Sequence, residues 1–271
     1  MPVFVACHTF GWTVAMVDSF TAHFPKMRLL AIDNNPYKHQ KVQSLFYHKN
    51  DGSWNKLCDA EREFINTHPQ IDVLPIYKTD PVIHALPYHG EALDHAVRWL
   101  KNNKIDVMVI LEPDCFIAGR KWMKQLLEPI AQGYWMSHGT KTPTNRSYPC
   151  GSAWLVDKIQ CSMDPFIWKD KISCEEVYKI VNYPQHIRDI HKDPMYYSKP
   201  SPKVELFNAY GWDTSQRCWF EMAIQGKAKY VGGEEPLPTS VNPVGRLIDL
   251  HHHWGGSKIK RYPDRDIFKL I

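Results

Sequence analysis

No two of the seven cysteines, at 7, 58, 115, 150, 161, 174 and 218, form a CxxC pair, and their number is odd. That argues against a disulfide framework and for a reducing compartment, and it shows no zinc-type Cys spacing. No stretch approaches the roughly 18 apolar residues of a membrane-spanning helix. The opening MPVFVACHTF lacks a basic n-region and its apolar run is short, so no cleaved leader is expected and a cytoplasmic location is. No GxGxxG follows the first apolar run, which disfavours a Rossmann dinucleotide site, and no GxxxxGK[ST] occurs, which excludes a P-loop. Internal repeats and low-complexity segments are absent. Strong charge is absent too: the net value is +4, with a pI near 8.5. That balance permits an anionic ligand such as a phosphate but does not by itself imply nucleic acid.

What is present is a hydrophobic content of 44%, enough for a core, and a changing hydrophobic period. PVFVACHTF (2–10) predicts a buried strand. GWTVAMVDSFTAHF (11–24) predicts a helix, with Val14, Val17, Phe20 and Phe24 at helical spacing. Strands follow at MRLLAIDNN (27–35), QIDVLPIY (70–77) and IDVMVILEPD (105–114), and helices at GEALDHAVRWLKNN (90–103) and RKWMKQLLEPIAQG (120–133). YWMSHG and GSAWLVD predict two more strands. DTSQRCWFEMAIQGK (213–227) predicts a helix capped by Asp213 or Thr214, KYVGG a short strand, and DLHHHWGGS (249–257) a late strand-like segment. Strands alternating with helices imply an α/β fold with a mostly parallel sheet flanked by helices and right-handed crossovers. We expect one domain over 1–271, with 161–271 as an elaboration on 1–160.

In parallel sheets ligands sit beyond the carboxyl ends of the strands. Three predicted strands end in polar clusters there: Cys7-His8-Thr9, Asp33-Asn34-Asn35 and Glu112-Pro113-Asp114. Paired carboxylates suit a hard divalent cation such as Mg²⁺ or Mn²⁺, and the proline between them stiffens the turn. Asp114 would equally serve as a strand-end cap. Asp33 can accept hydrogen bonds from a base or a ribose, or simply hold its turn. Asp213, among aromatics at a helix start, can take a proton from a hydroxyl or act as an N-cap. In a strand, His251 and His253 of LHHHWGGS fall on one face and His252 on the other; imidazoles there can ligate Mn²⁺ or contact phosphate.

Taken in order, VFVACHTF, AIDNNP, HGEALDHAV, VILEPDCF, GSAWLVD, YGWDTSQRCWFEMAIQG and HHHWGGS make the chain resemble family 2-like glycosyltransferases of the GT-A fold, over about residues 3–257. The resemblance implies a metal-dependent, inverting transfer of a sugar from a nucleotide-diphosphate donor, UDP ahead of GDP, to an acceptor hydroxyl. It implies donor contacts from Thr9, Asp33, His89, Gly90, Asp94, Glu112 and Asp114. Glu112-Pro113-Asp114 stands where the family has DxD, with Glu as the first acid. The resemblance further implies Mn²⁺ or Mg²⁺ on Asp114 with His253 or His251, and Asp213 as catalytic base. A carbohydrate acceptor ranks ahead of a modified DNA base, which would have to be flipped out of its duplex. Two alternatives stand beside this reading. One is a nucleotidyltransferase, disfavoured because CHTFGWT has no Lys or Arg. The other is a non-catalytic sugar- or nucleotide-binding relative.

Overall fold

The computed structural model describes residues 3–7, 13–33, 53–76, 85–113, 115–139, 149–164, 167–168, 214–232 and 247–252, with the backbone alone at 3–7, 53–58, 85–88 and 251–252. Its elements run β1 (Val3–Cys7), α1 (Thr13–His23), β2 (Leu29–Asp33), α2 (Ser53–Thr67), β3 (Ile71–Pro75), α3 (Ala85–Asn102), β4 (Val107–Leu111), β5 (Cys115–Ile117), α4 (Lys121–Ala131), β6 (Met136–His138), β7 (Ser152–Leu155), α5 (Gln216–Ile224), β8 (Ala228–Tyr230) and β9 (Leu250–His252). A 3-10 turn, Val156–Lys158, follows β7.

Seven strands form one sheet in the order β3-β2-β1-β4-β7-β6-β8, and β5 pairs with β9 in a second, two-stranded sheet. β3, β2, β1 and β4 are parallel, as are β6 and β8; β7 alone is reversed, antiparallel to both neighbours. The fold is thus α/β with a mostly parallel sheet. The reversal has a simple origin. β6 and β7 are joined by 139–151, a Pro-, Asn- and Gly-bearing stretch with no helical period, and antiparallel neighbours need no helical crossover.

The strand patterns follow from position. β2 lies between β1 and β3 and is buried at all five residues, Leu29 to Asp33. Alternate residues face opposite layers. Leu30, Ile32, Met108, Ile110, Met136 and Trp154 join a core with Ala92, Leu93, Ala96 and Leu100 of α3 and with Trp219 and Met222 of α5. Leu29, Ala31, Val109, Leu111 and Ala153 join Met16, Val17 and Phe20 of α1 and Trp122 and Leu126 of α4 on the other face. Helices therefore cover both faces. β8 and β9, from the last third of the chain, pair with β6 and β5 from its middle.

Three departures from the sequence expectations stand out. Helix α2 was not anticipated, because its polar residues outnumber its apolar ones; among its described side chains Glu61 and Ile65 are buried. Helix α3 begins at Ala85, earlier than Gly90, so His89 and Gly90 lie inside it. The cap of α5 is neither Asp213 nor Thr214. Ser215 takes that position in a left-handed conformation (φ 62°) with no side-chain cap bond, so the helix starts from a backbone turn.

Candidate active site

The register aligns the carboxyl ends of the three central strands. Cys7 pairs with Ile32, and Ala6 with Leu111, so the ends of β1, β2 and β4 share one edge. The three strand ends from which the polar clusters follow in sequence therefore lie side by side. Of the residues in them, Thr9 and Asp114 lie outside the described residues, as do Asp213 and His253; His251 is described in backbone only.

Asp33 ends β2 and is 1% exposed. Arg62 of α2 grips it through two bonds, Nε to Oδ2 at 2.5 Å and Nη2 to Oδ1 at 2.8 Å. The preceding residue, Glu61, is also buried, and its carboxylate accepts the Thr13 N–H at the start of α1 (3.3 Å). A negative charge at a helix N-terminus is favoured by the aligned backbone dipoles. Neighbouring residues of α2 thus fasten the two segments that frame the edge, the end of β2 and the start of α1. Sequence reasoning missed both, because the helix carrying them was not seen.

Asp94 on α3 is engaged from the far side. Its Oδ1 accepts the Met163 N–H at 2.7 Å, and its Oδ2 accepts the Ser162 hydroxyl. Met163 in turn accepts the Ser215 N–H through its carbonyl at 2.8 Å. Thr214, Ser215 and Gln216, which directly follow Asp213, are all buried. A chain of contacts therefore runs from Asp94 through Met163 to the start of α5. His89 is half-buried and Gly90 buried, one turn before Asp94 on α3.

Glu112 is half-buried beyond the end of β4, and its carbonyl accepts the Cys115 N–H at 3.1 Å, closing a turn over Pro113 and residue 114. The chain then enters β5, which runs antiparallel to β9 with Cys115 opposite His252, Phe116 opposite His251 and Ile117 opposite Leu250. Asp249 fixes this pairing: its carbonyl accepts the Ala118 N–H at 2.9 Å and its carboxylate the Lys121 N–H at the start of α4, at 3.3 Å. The late His-rich strand is thereby laced to the strand that leaves the EPD turn. Among the described residues, no three His, Cys, Asp or Glu side chains converge on a metal site, and no helix is long and apolar enough to cross a membrane.

No family model and no curated protein sequence matches this chain. Solved structures do. One is TarS from S. aureus, residues 1–349, at 10% identity over 59% of this chain and 48% of that one, TM-score 0.36. Another is 4-diphosphocytidyl-2C-methyl-D-erythritol synthase, at 9% identity over 70% and 96%, TM-score 0.35. A third is a Bacillus anthracis protein assigned as a glucose-1-phosphate thymidylyltransferase, in complex with a sucrose, at 12% identity over 84% and 85%, TM-score 0.36. This chain spans about half the length of the TarS structure. At such scores neither a family nor a function rests on the likeness.

Away from the strand ends, Tyr230 closes β8 opposite His138 of β6, their rings 5.4 Å apart. Burial pushes its hydroxyl well above its usual value. The folded-state value is raised over the unfolded one, so this contribution to stability is complete below about pH 10 and is lost as pH rises toward the folded value. Denaturant unfolding between pH 9 and 11 should therefore show the wild type losing up to about 1.4 kcal/mol per pH unit more than Tyr230→Phe above pH 10. Parallel curves would remove the role of burial.

Proposed function

We propose that the chain is a metal-dependent glycosyltransferase of GT-A type. It moves a sugar from a nucleotide-diphosphate donor, UDP ahead of GDP, to an acceptor hydroxyl, with inversion. The observation that carries this reading is the β5–β9 register. Cys115 and His252 are paired, and in sequence each is flanked by a residue of metal-ligating type, Asp114 on one strand and His253 on the other. That register supports His253 over His251, which is paired one step further from the turn, opposite Phe116.

A carboxylate with an imidazole suits Mn²⁺, and Mg²⁺ if water completes the shell. Asp114 and His253 would hold it, with Glu112 beside them; when bound, it neutralises the charge growing on the departing diphosphate. The chain's own residues do the rest. Asp33, gripped by Arg62, orders the end of β2 on the side of the base or ribose, and Thr9, which follows β1 in sequence, is a further donor contact. His89 and Gly90 approach the donor from α3. Asp94, through Met163 and Ser215, sets the start of α5, and Asp213 just before it takes the proton of the acceptor hydroxyl as that oxygen attacks the anomeric carbon. A single domain, with residues 161–271 shaping the acceptor side, fits strands β8 and β9 pairing with β6 and β5. A carbohydrate is the acceptor class we favour.

The test is product identity. A panel of nucleotide-sugars with Mn²⁺, Mg²⁺ or EDTA should yield a nucleoside diphosphate from one donor, with metal only. Release of pyrophosphate from a nucleoside triphosphate and a sugar phosphate would replace this reading with nucleotidyl transfer. Binding with no turnover toward any acceptor would replace it with a binding relative.

A further inference from the structure

Cys115 and Cys150 belong to neither the donor nor the acceptor side of that reading, yet they meet. Their Sγ atoms are 3.1 Å apart, and each residue is 3% exposed. They come from opposite borders of the EPD turn. Cys115 opens β5 directly after residue 114, and Cys150 precedes β7, the strand that lines β4. The backbone is anchored on both sides. Cys115 donates its N–H to the Glu112 carbonyl and is laddered to His252. Next to Cys150, Gly151 (φ 70°) donates to the Ile110 carbonyl at 2.9 Å and accepts from Gly139 N–H at 3.0 Å, while Ser152 Oγ donates back to the Pro149 carbonyl. Two thiols on separately anchored segments have a fixed approach. A disulfide needs an S–S length of about 2.05 Å, so closing takes only about 1 Å of movement.

We propose that Cys115 and Cys150 are a site of covalent modification, an intramolecular disulfide formed by a peroxide oxidant, which staples the EPD turn to the start of β7. One Sγ attacks an oxygen of hydrogen peroxide, losing its proton and releasing one water, and becomes a sulfenic acid. The second Sγ displaces that hydroxyl as another water. Two thiols and one peroxide become one disulfide and two waters, with sulfur oxidised and peroxide oxygen reduced. The chain contains a second thiol pair, and its chemistry differs. Cys218 directs its Sγ at the carbonyls of Cys161 and Ser162, at 3.0 and 3.3 Å. Its hydrogen bond with Cys161 and its burial push the Cys218 thiol up, whereas the same bond pulls the less buried Cys161 thiol down, so this pair is the competitor for the oxidant.

The full chain, reduced and folded, is treated with stepwise hydrogen peroxide, then denatured, alkylated and digested for mass spectrometry. The expected first product has five of its seven thiols alkylated, lacks two hydrogens in mass, and yields a linked peptide joining Cys115 to Cys150. Cys150→Ser and Cys115→Ala should each abolish that peptide, whereas Cys218→Ser should leave it. A first linkage at Cys161–Cys218, a linkage between two chains, or peroxide consumption giving sulfinic acid with no Cys115–Cys150 peptide would overturn the proposal. The mapping on the wild type decides the matter even where a variant folds poorly. It does not depend on whether the chain transfers sugar.

Discussion

Arg62→Ala should lower the unfolding free energy by about 3–5 kcal/mol, the loss found when one partner of a buried ion pair is removed. The side chain of Asp33 is 1% exposed and that of Arg62 15%. Removing the guanidinium takes two charge-assisted bonds from a carboxylate at the end of a strand buried along its whole length. A matched control lies on the neighbouring strand. Arg28 makes the same two-pronged contact with Asp72, at 2.6 and 2.5 Å, but those side chains are 54% and 35% exposed. Arg28→Ala should therefore lose less than about 1 kcal/mol. Urea titration of both variants reads the difference as a shift in midpoint at constant slope. Equal losses would show that burial does not set the strength of the Asp33–Arg62 pair.

Asp213→Asn should lower the turnover number by about 10²–10⁴, the range for loss of a positioned general base, with donor affinity unchanged. Asparagine keeps the size and polarity of the side chain but cannot accept the acceptor's proton. The three residues that follow Asp213 are buried, and Ser215 is tied through Met163 to Asp94. The variant should therefore keep its fold, and the loss should appear in kcat with little change in the KM for the donor. Undiminished turnover would move the base elsewhere. A rise in the donor KM with kcat intact would turn Asp213 into a binding residue.

Much of the architecture was legible in the sequence because strands buried on both faces and helices buried on one leave different periods. β2 and β4 read as continuous apolar runs and were found within two or three residues of their ends. Turn chemistry was less legible. The cap of α5 was expected from Asp213 or Thr214, the residue types that favour caps, but the chain closes on Ser215 in a left-handed turn that no side chain announces. Pairing between distant segments was least legible. Nothing in DLHHH or in PDCF predicts that β9 lies against β5; the register exists only in three dimensions. The same limit hid Arg62, whose significance comes from the strand end it reaches across 29 positions of sequence. Asp33 was picked out for its place at a strand end, and that place is where the structure puts it; its partner was invisible without the helix.

The central claim is that a metal and a nucleoside diphosphate meet at the carboxyl edge of this sheet. The most direct measurement is calorimetric binding of UDP, with GDP in parallel, to the wild type and to Asp114→Ala, each with Mn²⁺ and with EDTA. The account predicts that the wild type binds one of the two with Mn²⁺ and at least tenfold more weakly in EDTA, and that Asp114→Ala loses the metal dependence while its unfolding midpoint is preserved. Equal binding with and without metal, or an Asp114→Ala profile identical to wild type, would contradict it.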